Sequence, residues 1–336
     1  MPGMTASLGT VHGLCFFIVG VPRSGTTVLR LALHNHRDIC VPAETWFFRK
    51  LSRRAAYYGS FASEEHIGRF ARDVAGFRVE VDQKFADVFA ITQGEIAGVL
   101  RRSRVSNFAE AFWALMAHFA GREGKTIWGE KTAFYTSILP ILSGCYPEAR
   151  FILLLRDPRD VVSSLHHTPW GKQAYPSLAD AALRWRVGMR EVEAGLHDLD
   201  SARLLRVRYE SLAREPEHSL RRICEFLGVP FDAAMLSFHE RTDQLITRTS
   251  QAWHPNTFKP ISASSVERWR SQYSPEEVGL IELVCGSRMG KWGYAREGRA
   301  LTPGNVLAWQ SLQVRRVRHK LRRLLRLPAR KVRQAR

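Results

Sequence analysis

Long apolar runs are missing from this 336-residue chain, and no stretch approaches the roughly 18 uncharged apolar residues that a membrane span needs. The longest early run, Leu14 to Val21, has no basic stretch ahead of it and no small-residue cleavage site behind it, so it does not read as a secretory signal. Cysteine is scarce as well. Cys15, Cys40, Cys145, Cys224 and Cys285 are scattered, odd in number and without a C-x-x-C pair. That spacing argues against a disulfide scaffold and a zinc site, and it fits a reducing, cytoplasmic compartment. Acids stop at Glu297, and Arg315 to Arg336 holds 11 of the 50 Lys and Arg against none of the 32 acids. The formal net charge of +18 therefore belongs largely to a tail and leaves the body a surplus of only +7. Neither an internal repeat nor a nucleic-acid-binding motif is present.

What is there reads as α/β. Cys15 to Val19 is a short continuous apolar run, as expected of a strand buried on both faces. Gly20-Val21-Pro22-Arg23-Ser24-Gly25 breaks it, and Thr26 to His34 reads as a helix. Arg150 to Arg156 and Leu204 to Arg208 repeat the buried-strand pattern, each leading toward a helix. Further helices are expected over about 177–197, 217–227 and 275–289. Residues 47–125 read as mostly helical, an insertion or cap over the sheet's carboxyl edge. The expected architecture is a P-loop-like parallel sheet flanked by helices in one domain over 1–300, followed by a basic tail over 301–336.

Gly20 to Thr27 has the G-x-x-x-x-G spacing of a nucleoside-triphosphate loop, yet Thr26 stands where that loop needs lysine. Backbone N–H groups and the positive end of the next helix still suit an anion there. Arg23 supplies a cation inside the loop. The 151–155 strand ends in Arg156 rather than a magnesium-binding carboxylate, which suits a group less charged than a triphosphate. The plainer reading is a strand–turn–helix corner with capping Ser and Thr.

Pro22-Arg23-Ser24-Gly25-Thr26-Thr27 resembles the 5′-phosphosulfate loop of sulfotransferases that use 3′-phosphoadenosine 5′-phosphosulfate (PAPS). Arg156 to Ser164 resembles their second signature, in which an Arg at a strand end and a Ser eight residues on hold the 3′-phosphate. Val207 to Leu212 looks like the stretch carrying their adenine-side tyrosine, here Tyr209. Phe258-Lys259-Pro260, Glu267-Arg268-Trp269 and Lys291 to Tyr294 resemble their cofactor-closing segment. Four blocks in order over residues 16–294 make the resemblance specific. Within the superfamily, the loop together with Glu44-Thr45 is most similar to Golgi-type and tyrosylprotein sulfotransferases and their bacterial relatives.

The resemblance implies a PAPS donor, no metal and a hydroxyl acceptor: carbohydrate, lipid, natural product or tyrosine. It makes Glu44 the base and places Lys131, in Trp128-Gly129-Glu130-Lys131-Thr132, near the sulfuryl group beside Arg23. The donor would be held by Pro22, Arg23, Ser24, Gly25, Thr26, Thr27, Arg156, Ser164, Tyr209 and Lys259. Two departures bear on the acceptor side. Trp46-Phe47-Phe48 stands where the tyrosylprotein enzymes flank their Glu with peptide-binding arginines; it suits a flat or apolar partner, and its plainer reading is core packing of the cap. A cofactor-side serine of that family falls at His254, five residues before Lys259. His254, His166 and His167 are rival bases, since imidazole works near neutral pH.

Two other readings remain open: a P-loop kinase acting with magnesium and a nucleoside triphosphate, and a non-catalytic protein binding membranes or polyanions. In the tail, Val306, Trp309, Val317, Leu321, Leu324 and Leu325 fall near helical spacing among arginines. That is the pattern of a basic helix on an anionic membrane, such as the inner face of the cell membrane, or of a solvated basic extension.

Overall fold

Five short strands pair into a single parallel sheet in the order β2-β3-β1-β4-β5: β1 (Phe16–Gly20), β2 (Ile39–Cys40), β3 (Ile127–Lys131), β4 (Arg150–Leu155) and β5 (Leu204–Arg208). The computed structural model describes residues 8–79, 83–246, 251, 253–297 and 302–314. Among the helices are α1 (Thr26–His34), α2 (Phe47–Leu51), α3 (Glu64–Gly76), α4 (Gln93–Arg102), α5 (Phe108–Arg122), α6 (Pro158–His166), α7 (Leu178–Gly195), α8 (Tyr209–Arg214), α9 (Pro216–Leu227) and α10 (Pro275–Cys285). The chain divides into two compact units. One comprises the chain up to Arg156 plus Gly188–Val266, the other Asp157–Val187 plus the chain from Glu267 onward.

In the first unit the sheet is buried on both faces, which explains its unbroken apolar runs. Phe16 and Ile18 join Leu29 and Leu33 of α1, Ile152 and Leu154 of β4 and Leu220 and Ile223 of α9 in one core. Phe17 points to the other face, against Trp128, Tyr146 and Phe151 at centroid distances of 5.6–6.0 Å. The expected parallel sheet is borne out, as are the strands at β1, β4 and β5 and the helix α1.

Two strands escaped the sequence reading. β2 has only two residues. β3 ends in Glu130-Lys131, charges that disguise a strand whose last four residues are all buried. Gly129 sits there because a Cβ would lie 2.3 Å from the Phe16 ring across the ladder.

Most of the described residues within 47–125 are helical, with local signals that specify where the helices begin. Ser63, Thr92 and Asn107 accept hydrogen bonds from the first-turn backbone of α3, α4 and α5. These helices close around Phe47, Phe48, Phe70, Phe85, Phe108 and Phe112, all 2% exposed or less. Phe47 and Phe48 are therefore core, and that part of the aromatic cluster is not open to a flat partner.

The second unit is built around a buried ion-pair knot. Arg159 on α6 donates to Asp157 (2.7 Å) and to Glu282 of α10 (2.9 Å), with its guanidinium 3.9 Å from the centre of the Trp269 ring. Asp160 accepts from the backbone N–H groups of Glu267 (2.8 Å) and Trp269 (3.1 Å). The charged Asp-Pro-Arg-Asp run thus owes much of its character to packing inside this unit.

Candidate active site

Because the sheet is parallel, all strands end on one edge, and in the first unit each end delivers a side chain or loop that meets its neighbours there. β1 stops at Gly20, and the chain turns through Val21–Gly25 into α1, closed by Ser24 N–H donating to the Val21 carbonyl (3.1 Å). Arg23 (φ 72°) and Gly25 (φ 92°) adopt left-handed backbone. At Gly25 nothing else fits, since a Cβ would lie 2.3 Å from the Tyr209 ring. α1 starts without a side-chain cap and without an acid in its first turn. Its leading N–H groups and positive end are arranged for an anion.

Arg23 sends its guanidinium to the Trp253 carbonyl (3.1 Å) and to His254 Nδ1 (3.3 Å). Burial, with Arg156 next to it, pulls Arg23 down to about 10. Arg156, one residue past β4, donates to the carbonyls of Arg23 (2.9 Å) and Ser265 (2.7 Å). Its guanidinium lies 4.4 Å from the centre of the Tyr209 ring, one residue past β5. Tyr209 and Arg156 therefore brace the loop from below as a stacked pair.

Lys131 ends β3 almost fully buried. Its ammonium donates to Thr27 Oγ1 (3.1 Å) on α1 and to the carboxylate of Glu44, whose side chain is 28% exposed. Burial pulls this lysine below its ordinary value, and the nearby Glu44 works in the opposite direction. Glu44 lies in the segment that follows β2, which Arg30 of α1 fixes by donating to the Val41 (3.1 Å) and Leu245 (2.9 Å) carbonyls. The structure thus brings Arg23, Arg156 and Tyr209 together around the loop, and Thr27, Glu44 and Lys131 together at the start of α1.

Pro22, Ser24 and Thr26 are buried parts of the turn. Lys259 is exposed after a single helical turn at Pro255–Phe258. Ser164 is half-buried on α6 in the second unit, as is His166 just beyond it, and exposed His167 holds the Ser163 carbonyl (2.7 Å). His254 is pushed down to about 2, first by burial and then by Arg23, Lys131 and Arg30, so proton uptake there is strongly disfavoured. Three residues at this edge were missed by sequence reasoning: Arg30, Thr45 and Glu130. Each reads in sequence as an ordinary surface residue.

Among the described residues, one group of metal-ligating type lies close together: His34, Cys40 and Glu123. Its imidazole is already committed, with Nδ1 accepting from Val41 N–H (3.1 Å) and Nε2 facing Glu123 (3.3 Å). Lys125 neutralises the same carboxylate (3.1 Å). The group holds a sheet corner together.

An uncapped helix end behind a glycine turn, with a buried lysine and a carboxylate beside it, is a candidate anion-binding site at the carboxyl edge of a parallel sheet. The chain belongs to the Sulfotransferase family, whose model matches residues 16–233. It is 29% identical over 302 residues to nodulation protein NoeE of Sinorhizobium fredii, covering 84% of this chain and 66% of that protein's length. A putative protein-tyrosine sulfotransferase of Caenorhabditis briggsae is 24% identical over 277 residues, covering 80% and 85%. The sulfotransferase domain from the Synechococcus PCC 7002 olefin synthase shares the fold at TM-score 0.59 and 24% identity, covering 85% of this chain and 96% of that one. The resemblance read from the four sequence blocks is borne out at the level of family and fold.

Proposed function

We propose that the protein transfers a sulfuryl group from PAPS to a hydroxyl acceptor, with Glu44 as the base. The observation that carries this reading is the Thr27–Lys131–Glu44 cluster at the anion-binding start of α1, in a chain of this family. The bound donor supplies the activated sulfuryl group. Arg23 and the loop N–H groups hold its charged end. Lys131 stabilises the charge that builds on the leaving oxygen, where a preorganised cation acts in low dielectric. Glu44 takes the acceptor's proton, its carboxylate being the more exposed member of the ion pair and hence open to the acceptor side. Arg156 is assigned to the 3′-phosphate, Tyr209 to the adenine side and Lys259 to closure over the nucleotide. No residue here is asked to hold a metal. His254 is the weaker base, because burial among three cations opposes the positive charge it would acquire.

The tail belongs to a second, independent reading: attachment to an anionic bilayer from the cytoplasmic side. Residues 303–314 form a helix that leaves Val306, Leu307 and Val314 exposed, directly before the 11 Lys/Arg of the last 22 residues. The rest of the tail lies outside the described residues. No described helix is long and apolar enough to cross a membrane.

The function is tested by titration with 3′-phosphoadenosine 5′-phosphate against ATP with magnesium, and by turnover with sulfate-labelled PAPS. The acceptor panel is a tyrosine peptide, an oligosaccharide, a phenol and a long-chain alcohol. Tight binding of the bisphosphate without metal and label in one acceptor are expected; preference for ATP with magnesium refutes the reading. In that assay Glu44→Gln is expected to lower turnover by about 10²–10⁴-fold with binding of the spent donor nearly unchanged.

A further inference from the structure

Glu130 is a glutamate that the proposed reaction does not use, in a place where a carboxylate is costly. It is fully buried on β3, one residue before Lys131. One carboxylate oxygen, Oε1, accepts from Thr132 Oγ1 (2.7 Å), Thr45 Oγ1 (3.0 Å) and Thr45 N–H (3.4 Å). The other, Oε2, is buried with no hydrogen-bond partner among the described residues. Burial pushes the Glu130 carboxyl up to about 7, against the pull of the threonine hydrogen bonds. A group held at such cost is expected to have a use beyond packing.

Its contacts lie in register with those of its neighbour. Two consecutive residues of β3 grip two consecutive residues of the segment after β2: Lys131 pairs with Glu44, and Glu130 binds Thr45 through both backbone and side chain. We infer that Glu130 is a positioning residue for Glu44, acting through Thr45 to fix where the base stands relative to Lys131 and the start of α1. This rests on the reading of Glu44 as the base. The Lys131–Glu44 contact alone restrains only the tip of a side chain. The Glu130–Thr45 contacts restrain the backbone that carries it, and misplacement by about 1 Å at a reacting centre can cost about a hundredfold.

The test is a double-mutant cycle on the full chain in the labelled-donor assay above, with donor hydrolysis by water read in the same samples. Glu130→Ala is expected to lower kcat by about tenfold to a hundredfold. Binding of 3′-phosphoadenosine 5′-phosphate should stay within about twofold, since donor contacts lie on other residues. In the Glu44→Gln background the same change should cost almost nothing more, because a misplaced base and an absent one are equivalent. Glu130→Gln should recover most of the rate by keeping the acceptor oxygen for Thr45. Thr45→Val, which removes one donor and keeps the shape, should show a smaller loss of the same kind and serves if Glu130→Ala does not fold. Positioning is overturned, with the base reading intact, if Glu44→Gln is impaired while Glu130→Ala and Thr45→Val turn over normally. It is equally overturned if their losses multiply in full with that of Glu44→Gln, or if they lose donor binding in step with rate. Normal turnover of Glu44→Gln overturns the base reading and this inference together.

Discussion

Arg23 is the residue on which the proposed donor binding turns, because its backbone shapes the loop while its guanidinium, held by Trp253 and His254, brings a cation to it. Arg23→Ala is expected to lower turnover by more than about a hundredfold, the roughly 2.7–4 kcal/mol that one preorganised donor is worth in a transition state. A chelator should leave the rate alone; a chelator-sensitive enzyme with a tolerated Arg23→Ala contradicts the assignment. Glu130 makes a separate statement about stability. Its carboxyl stands near 7 in the folded protein against an ordinary 4.5, so folding favours the protonated form. The stability it lends is fully present below about pH 4.5 and is lost as pH rises through about 7, a change on the order of 3 kcal/mol. Burial sets that value, the hydrogen bonds from Thr132 and Thr45 oppose it, and the neighbouring Glu44 adds to it. His34 and His254, both pushed down to about 2, act in the opposite sense and lose stability as pH falls below about 6.5. Urea unfolding of wild type and Glu130→Gln at several pH values separates the two. Their difference in stability should change between pH 4.5 and 7, and a constant difference contradicts the burial argument.

At the scale of elements, the apolar strands and the glycine turn were legible because both faces of the sheet are buried and the turn needs residues with unusual backbone freedom. α9 was legible to within a residue, since Pro216 opens it and left-handed Gly228 (φ 74°) closes it. β3 was illegible as a strand because its last two residues are charged, and a charged pair breaks the pattern by which buried strands are found. Glu44 and Lys131 were reached through resemblance alone; nothing in their spacing says that they touch. Arg30 and Thr45 were out of reach because their roles consist of bonds to backbone carbonyls and to a buried carboxylate brought near by the fold. In Trp46-Phe47-Phe48 the core-packing reading holds for two of the three: Phe47 and Phe48 complete a helical core, while Trp46, 5.2 Å from the Phe134 ring centre, is half-buried.

For the molecule as a whole, donor handling and the basic tail are expected to separate. The cofactor blocks end by Tyr294, before the Pro303-Gly304 punctuation. Truncation before Arg315 should leave binding of 3′-phosphoadenosine 5′-phosphate intact and weaken sedimentation with anionic vesicles, as each surface cation contributes about 1 kcal/mol there. High salt should mimic the truncation, since the attraction decays over a Debye length of about 10 Å at 0.1 M. Equal sedimentation of both forms would make the tail a solubilising extension.

The ladder between β2 and β3 pairs Ile39 with Ile127 and Cys40 with Trp128. Everything between Cys40 and Ile127 therefore leaves the sheet and returns to the neighbouring rung. For the sheet, that whole segment is one closed loop with fixed ends, and the entropy of closing a loop grows only with the logarithm of its length. Doubling it costs about 0.6 kcal/mol. Loop closure alone therefore sets little penalty on a change in the length of that segment, so long as its core of phenylalanines stays filled and Glu44 and Thr45 still meet Lys131 and Glu130. A chain wired in this way can vary what lies between two neighbouring rungs while the strands themselves stand still.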